Sequence, residues 1–169
     1  MAGIKRAFPA YIVLGAWMAA AAGPASGAER MLPKAAIKLV EGGKVTAQDL
    51  AGKVVVVDFW GTWCKPCLAE IPEYNAFYRE YREKGVVFLA LAADSGTPGK
   101  VRDAARRLKI EYPVAAPDWD QLDLFGELQV FPTTMVYDRQ GRLSKEFLGT
   151  PPGKHEQLRE IVSRLLRAE

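Results

Sequence analysis

Cys64 and Cys67 are the only cysteines among 169 residues, and they stand together as Cys64-Lys65-Pro66-Cys67. Two thiols at this spacing can close on each other and exchange with a foreign disulfide. One thiolate attacks, a mixed disulfide forms, and the second thiol resolves it. A stabilising crosslink is the plain alternative, and its size argues against it. Closing so short a loop contributes roughly 2 kcal/mol on the chain-entropy model, less than half of what a loop of about 100 residues would give. A zinc or copper site needs three or four ligands. The one histidine, His155, lies far along the chain and reads as a solvated residue near a helix start. The pair is therefore read as a redox-active disulfide, with no metal and no cofactor assigned to it.

The elements on either side must place the pair. Four valines, Val54 to Val57, followed by Asp58-Phe59-Trp60, read as a buried strand that Gly61 and Thr62 end. Leu68, Ile71, Tyr74, Tyr78 and Tyr81 then recur every three or four residues, the period of an amphipathic helix. Cys64 falls where strand gives way to helix. Unpaired N–H groups and the helix dipole favour a thiolate there. The position predicts Cys64 as the nucleophile, at the exposed start of the helix, and Cys67, one turn inside, as the resolving thiol. Lys65 adds a positive charge that solvent screens, and Pro66 fits the first turn, where a missing N–H costs little. Pro72 falls inside the helical pattern and is expected to kink it.

The chain carries 23 Lys and Arg against 20 Asp and Glu, and 49% of its residues are apolar. That composition suits one globular core and gives no reason to propose nucleic acid or a membrane surface as partner. The basic run Arg102, Arg106, Arg107 and Lys109 reads as the solvated face of a helix. At the N-terminus, Lys5 and Arg6 precede an uncharged run from Ala7 to Ala28 that ends in Ala25-Ser26-Gly27-Ala28. A basic end, an apolar middle and a small-residue tail make a secretory signal, with cleavage expected after Ala28. The alternative is an uncleaved anchor, against which Gly23 and Pro24 break the apolar segment late. Residues 1–28 are thus the expected leader and 29–169 the exported domain. The leader places that domain in the periplasm, touching the membrane only if it stays attached.

The run from Asp58 to Cys67 resembles the active-site segment of the thioredoxin superfamily. Glu70-Ile71-Pro72 and Phe131-Pro132-Thr133-Thr134 are similar to features of its exported bacterial TlpA/ResA/CcmG branch, as is the lead-in from Lys44 to Lys53. The resemblance implies an α/β thioredoxin-like fold: a central mixed sheet flanked by helices, with an insertion, placed between Val86 and Leu128, between the core strand–helix units. It implies a thiol–disulfide oxidoreductase that reduces particular client proteins, such as those of cytochrome c or copper-site maturation, and draws electrons from a membrane-borne donor. Asp58 matches the thioredoxin acid that helps move the proton of the second cysteine; the TlpA-like branch often carries asparagine there. Glu70 matches the branch's own active-site acid, the alternative being a first-turn carboxylate that serves the helix dipole. Pro132 matches a cis proline that would leave the Phe131 backbone free to pair with a substrate strand. Trp63 is expected at the rim of the site and Trp60 in the core. Thr133 stands where the CcmG subgroup carries an acid, which weakens a specific cytochrome c assignment.

The rest of the chain follows the alternating pattern such a fold needs. Strands are expected at Val86–Ala92 and Tyr112–Ala116, and a helix from Thr97 and Pro98 to about Lys109. A short helix is expected at Leu122–Leu128, a hairpin at Thr134–Tyr137 and Leu143–Leu148 around Asp138-Arg139-Gln140-Gly141, and a last helix over His155–Leu166. Three rival activities use the same cysteines: an oxidant that installs disulfides, a copper-binding or partner module, and a peroxidase. The reduction potential separates the first, metal titration the second, and peroxide turnover the third.

Overall fold

A computed structural model describes residues 30–168; the expected leader, with its cleavage point, lies outside them. A small antiparallel pair, β1 (Ile37–Lys38) and β2 (Lys44–Val45), and a one-turn helix, α1 (Ala47–Leu50), lead into β3 (Val54–Trp60). The chain continues through α2 (Lys65–Tyr81), β4 (Val86–Ala92), α3 (Pro98–Arg107), β5 (Val114–Ala115) and α4 (Trp119–Asp123). It closes with β6 (Thr133–Tyr137), β7 (Leu143–Leu148) and α5 (Lys154–Arg167). Five strands form one mixed sheet in the order β5-β4-β3-β6-β7, with β3 parallel to β4 and antiparallel to β6. This is the expected thioredoxin-like α/β arrangement.

The valine run explains the centre. A strand paired on both edges and covered on both faces must be apolar on both, and every residue of β3 is buried. Its alternation then sorts two cores. Val54, Val56 and Trp60 join Cys64, Cys67, Tyr74, Phe77 and Leu158 on the face covered by α2 and α5. Val55, Val57 and Phe59 join Leu50, Leu122 and Phe125 on the opposite face. Asp58 lies in phase with the first set, so its carboxyl is buried on the cysteine side.

Several local expectations are refined. β4 pairs with β3 over all seven residues and is a core strand. The added material therefore begins after it, with α3, rather than at Val86. Thr97 caps α3, its hydroxyl accepting the Lys100 N–H at 3.4 Å. The expected strand at Tyr112–Ala116 shrinks to Val114–Ala115 because Pro113 and Pro117 flank it without N–H donors. The helix expected at Leu122–Leu128 starts earlier, at Trp119, because Asp118 caps it by accepting the Gln121 N–H at 2.9 Å. In the β6–β7 hairpin, Gly141 takes a positive φ of 78°, and Asp138 Oδ1 accepts from the N–H groups of Gln140 and Arg142. Among the described residues, no helix is long and apolar enough to cross a membrane.

Candidate active site

The cysteines sit where β3 hands the chain to α2, and they are joined as a disulfide with Cα atoms 5.3 Å apart. Cys64 is the N-cap of α2: its φ of −89° and ψ of 94° are extended, and its Sγ accepts the Cys67 N–H at 3.3 Å. Pro66 occupies the first turn, as expected. The expected difference in exposure does not appear, for Cys64 is 4% and Cys67 3% exposed. What separates the two sulfurs is the N–H that Cys64 alone receives at the positive end of a 17-residue helix. Lys65 is exposed beside them. The turn before Cys64 is tied to the segment after β4: the Thr62 N–H donates to Ser95 Oγ at 2.9 Å, and Trp63 Nε1 donates to the Ala93 carbonyl at 3.3 Å.

Trp63 is 54% exposed and meets Phe131 edge-on, ring centroids 5.4 Å apart, while Trp60 is buried. The Phe131–Pro132 bond is cis. This contact brings the expected rim tryptophan and the expected proline loop together. Thr133 is buried at the start of β6, and its hydroxyl donates to the Val130 carbonyl at 2.7 Å, so its side chain faces the protein's own loop. Val130, next to Phe131 in the chain, and Leu148, paired with Thr133 across the β6–β7 hairpin, are also exposed.

Asp58 is 3% exposed, flanked in register by Ala90 on β4 and Thr134 on β6. Thr134 Oγ1 donates to its Oδ1 at 2.9 Å, and the Tyr74 hydroxyl lies 2.8 Å from Thr134 Oγ1. Burial pushes the Asp58 carboxyl up to about 7, against the pull of the Lys154 cation and the Thr134 hydroxyl. Burial, with the Asp58 and Glu70 charges behind it, also holds the Tyr74 hydroxyl well above its usual range.

Glu70 is not a solvated first-turn carboxylate. It is 6% exposed, and Lys154 Nζ donates to its Oε2 at 2.9 Å. His155 Nε2 lies 3.2 Å from its Oε1. His155, expected to be solvated, is therefore drawn to the site, and its ring also meets Tyr74 edge-on at 5.2 Å. A cleft of about 300 Å³ is lined by Pro66, Ala69 and Glu70 from α2, and by Gly153, Lys154 and His155 at the start of α5. Thr134, Tyr74, Lys154 and His155 are polar contributors to which the sequence reading assigned no role at the site.

The sequence matches the Redoxin family over residues 26–162. The thiol-disulfide oxidoreductase ResA of Bacillus thuringiensis is 34% identical over 133 residues, covering 79% of this chain and 75% of that protein. ResA of Geobacillus thermodenitrificans is 37% identical over 113 residues, covering 66% and 63%. Among solved structures, a thioredoxin-family thiol:disulfide interchange protein of Chlorobium tepidum superimposes with a TM-score of 0.72 at 25% identity, covering 82% of this chain and 97% of that one. The pattern of residues around the paired cysteines, the sheet that carries them and the similarity along most of the chain all agree. This chain belongs to the Redoxin family and is a thiol–disulfide oxidoreductase of the TlpA/ResA/CcmG type within the thioredoxin superfamily.

Proposed function

We propose that this oxidoreductase is an exported reductant that opens disulfides of particular client proteins, with Cys64 as nucleophile and Cys67 as resolving thiol. The observation that carries the division of roles is the Cys67 N–H directed at Cys64 Sγ, since a backbone donor at a helix start stabilises a thiolate on that sulfur. In each turnover the client S–S bond breaks and the Cys64–Cys67 bond forms. Two electrons and two protons pass from the enzyme dithiol to the client. A membrane-borne donor must then return two electrons to the enzyme, with two protons taken up, to restore the dithiol. The leader pattern of residues 1–28 supports export of the 29–169 domain to the periplasm.

Asp58 serves as the proton acceptor for Cys67. It lies on the cysteine face of the sheet, and a carboxyl that titrates at about 7 can take or give a proton near neutral pH. Glu70 tunes the pair from the next turn of α2, and Lys65 and Pro66 modulate it from within the motif. The rim of Trp63, Phe131 and Pro132, with Thr133 fixing the loop behind them, receives the client, whose extended chain pairs with the Phe131 backbone. Clients with paired cysteines awaiting haem or copper fit the family resemblance.

Trapping tests the roles. A Cys67→Ser variant leaves Cys64 without its resolving partner and should accumulate mixed disulfides with reduction-sensitive clients. Cys64→Ser should accumulate few or none. The opposite pattern would reverse the assignment.

A further inference from the structure

Lys154 is 2% exposed, an unusual place for an ammonium group. It stands in the first turn of α5, where the helix dipole disfavours a cation. Its Nζ is held by three partners: Glu70 Oε2 at 2.9 Å, the Gly149 carbonyl at 3.2 Å, and the face of the Tyr74 ring, 5.5 Å from its centroid. A buried cation with so complete a set of partners is built in. Two of those partners belong to α2, the helix that carries the cysteines at its start. Glu70 is one turn beyond Cys67, and Tyr74 reaches through Thr134 to Asp58. Pro66, between the two cysteines, shares the cleft with Glu70 and Lys154.

We propose that Lys154 is a positioning residue for the redox centre: its buried ammonium fixes the Glu70 carboxylate and offsets the two buried acids, so that a thiolate can form beside them. The inference rests on Cys64–Cys67 being the redox couple. Two carboxylates near a dithiol oppose a third negative charge, and a cation placed among them lowers that opposition. The titratable groups that face Lys154 are Glu70 and Tyr74 of α2, Asp58 of β3, and His155 and Glu156 of its own helix. Tyr112 lies against the Tyr74 ring at 6.3 Å. His155 touches the other oxygen of Glu70 but is partly exposed, so Lys154 is the cation that water screens least.

The test is the rate at which iodoacetamide alkylates Cys64 in the reduced full-length protein, followed against pH. Lys154→Met should raise the midpoint of the profile by about one pH unit, slowing alkylation about tenfold below it. Glu70→Gln should lower the midpoint, the Glu70→Gln/Lys154→Met pair should return close to the parent, and Lys154→Arg should retain the parent profile. A merely structural lysine would change the urea midpoint and leave the alkylation profile where it was, which would overturn the inference. If Lys154→Met does not fold, the double variant decides: a profile coinciding with that of Glu70→Gln alone would also overturn it. A parent protein that never equilibrates with a glutathione buffer would refute the redox couple itself. Equilibration with unmoved profiles would refute only the role of Lys154.

Discussion

Asp58 and Glu70 are both buried on the cysteine side of the sheet, and their surroundings are opposite. Asp58 has hydroxyl company: Thr134 donates to it, and Tyr74 stands behind Thr134. Glu70 has two basic side chains within 3.2 Å, Lys154 and His155, both delivered by α5. A carboxyl with only a neutral donor in contact, deep in an apolar core, is poised to carry a proton. A carboxylate held by a buried ammonium and an imidazole ties two helices together and fixes local charge near the start of α2. The comparison separates a group suited to proton transfer from one suited to electrostatic tuning.

Breaking the Glu70 clasp should have the largest effect on stability. Lys154→Met leaves a buried carboxylate with one partly exposed histidine, and removing one partner of a buried pair costs about 3–5 kcal/mol. Urea unfolding of the oxidised protein measures it; a loss under about 1 kcal/mol would mean that the Lys154–Glu70 pair does not hold α5 to α2.

Asp58 should show the reverse sign. Its ordinary value is 3.8 and its folded value about 7, so the folded chain holds a proton that the unfolded chain has already released. Stability should therefore fall as pH rises from about 4 to 7 and level off above that. Asp58→Asn removes this dependence. The variant should match the parent near pH 4 and exceed it by roughly 2–4 kcal/mol above pH 7. Parallel stability–pH curves for the two proteins would place the Asp58 carboxyl in its usual range.

Two smaller changes sharpen the contrast. Tyr74→Phe removes the hydroxyl behind Thr134 and should cost about 1 kcal/mol in the same unfolding assay. It leaves the Thr134–Asp58 bond in place, so the pH dependence of stability should persist. His155→Ala should cost less than about 1 kcal/mol, because the ring is partly exposed and Lys154 keeps its hold on Glu70. A larger loss for His155→Ala than for Lys154→Met would exchange their ranks.

The chemistry was legible in the sequence because it is local. The cysteines, the valine strand before them and the helix after them lie within thirty residues, and hydrophobic period alone places them. The two acids were legible as exceptions to an apolar pattern and as family matches, but their partners were not. Thr134 faces Asp58 only through strand register, and Lys154 reaches Glu70 across 84 positions of sequence. Sequence spacing contains neither relation. One signal was present: a lysine just after Gly153, in the first turn of a helix, runs against the dipole and calls for a reason. Another was the Asp118-x-x-Gln121 pattern, which marks the start of α4 better than the apolar residues that follow it. The equal burial of Cys64 and Cys67 could not be read from position, because it depends on how the rest of the chain packs around the helix start.

The direction of electron flow is what most needs measuring, through the reduction potential of the Cys64–Cys67 couple in a glutathione or dithiothreitol redox buffer. A reductant should give a value near or below that of thioredoxin, about −270 mV. A value near −120 mV, that of a strong oxidant, would contradict the assignment and make this protein a donor of disulfides.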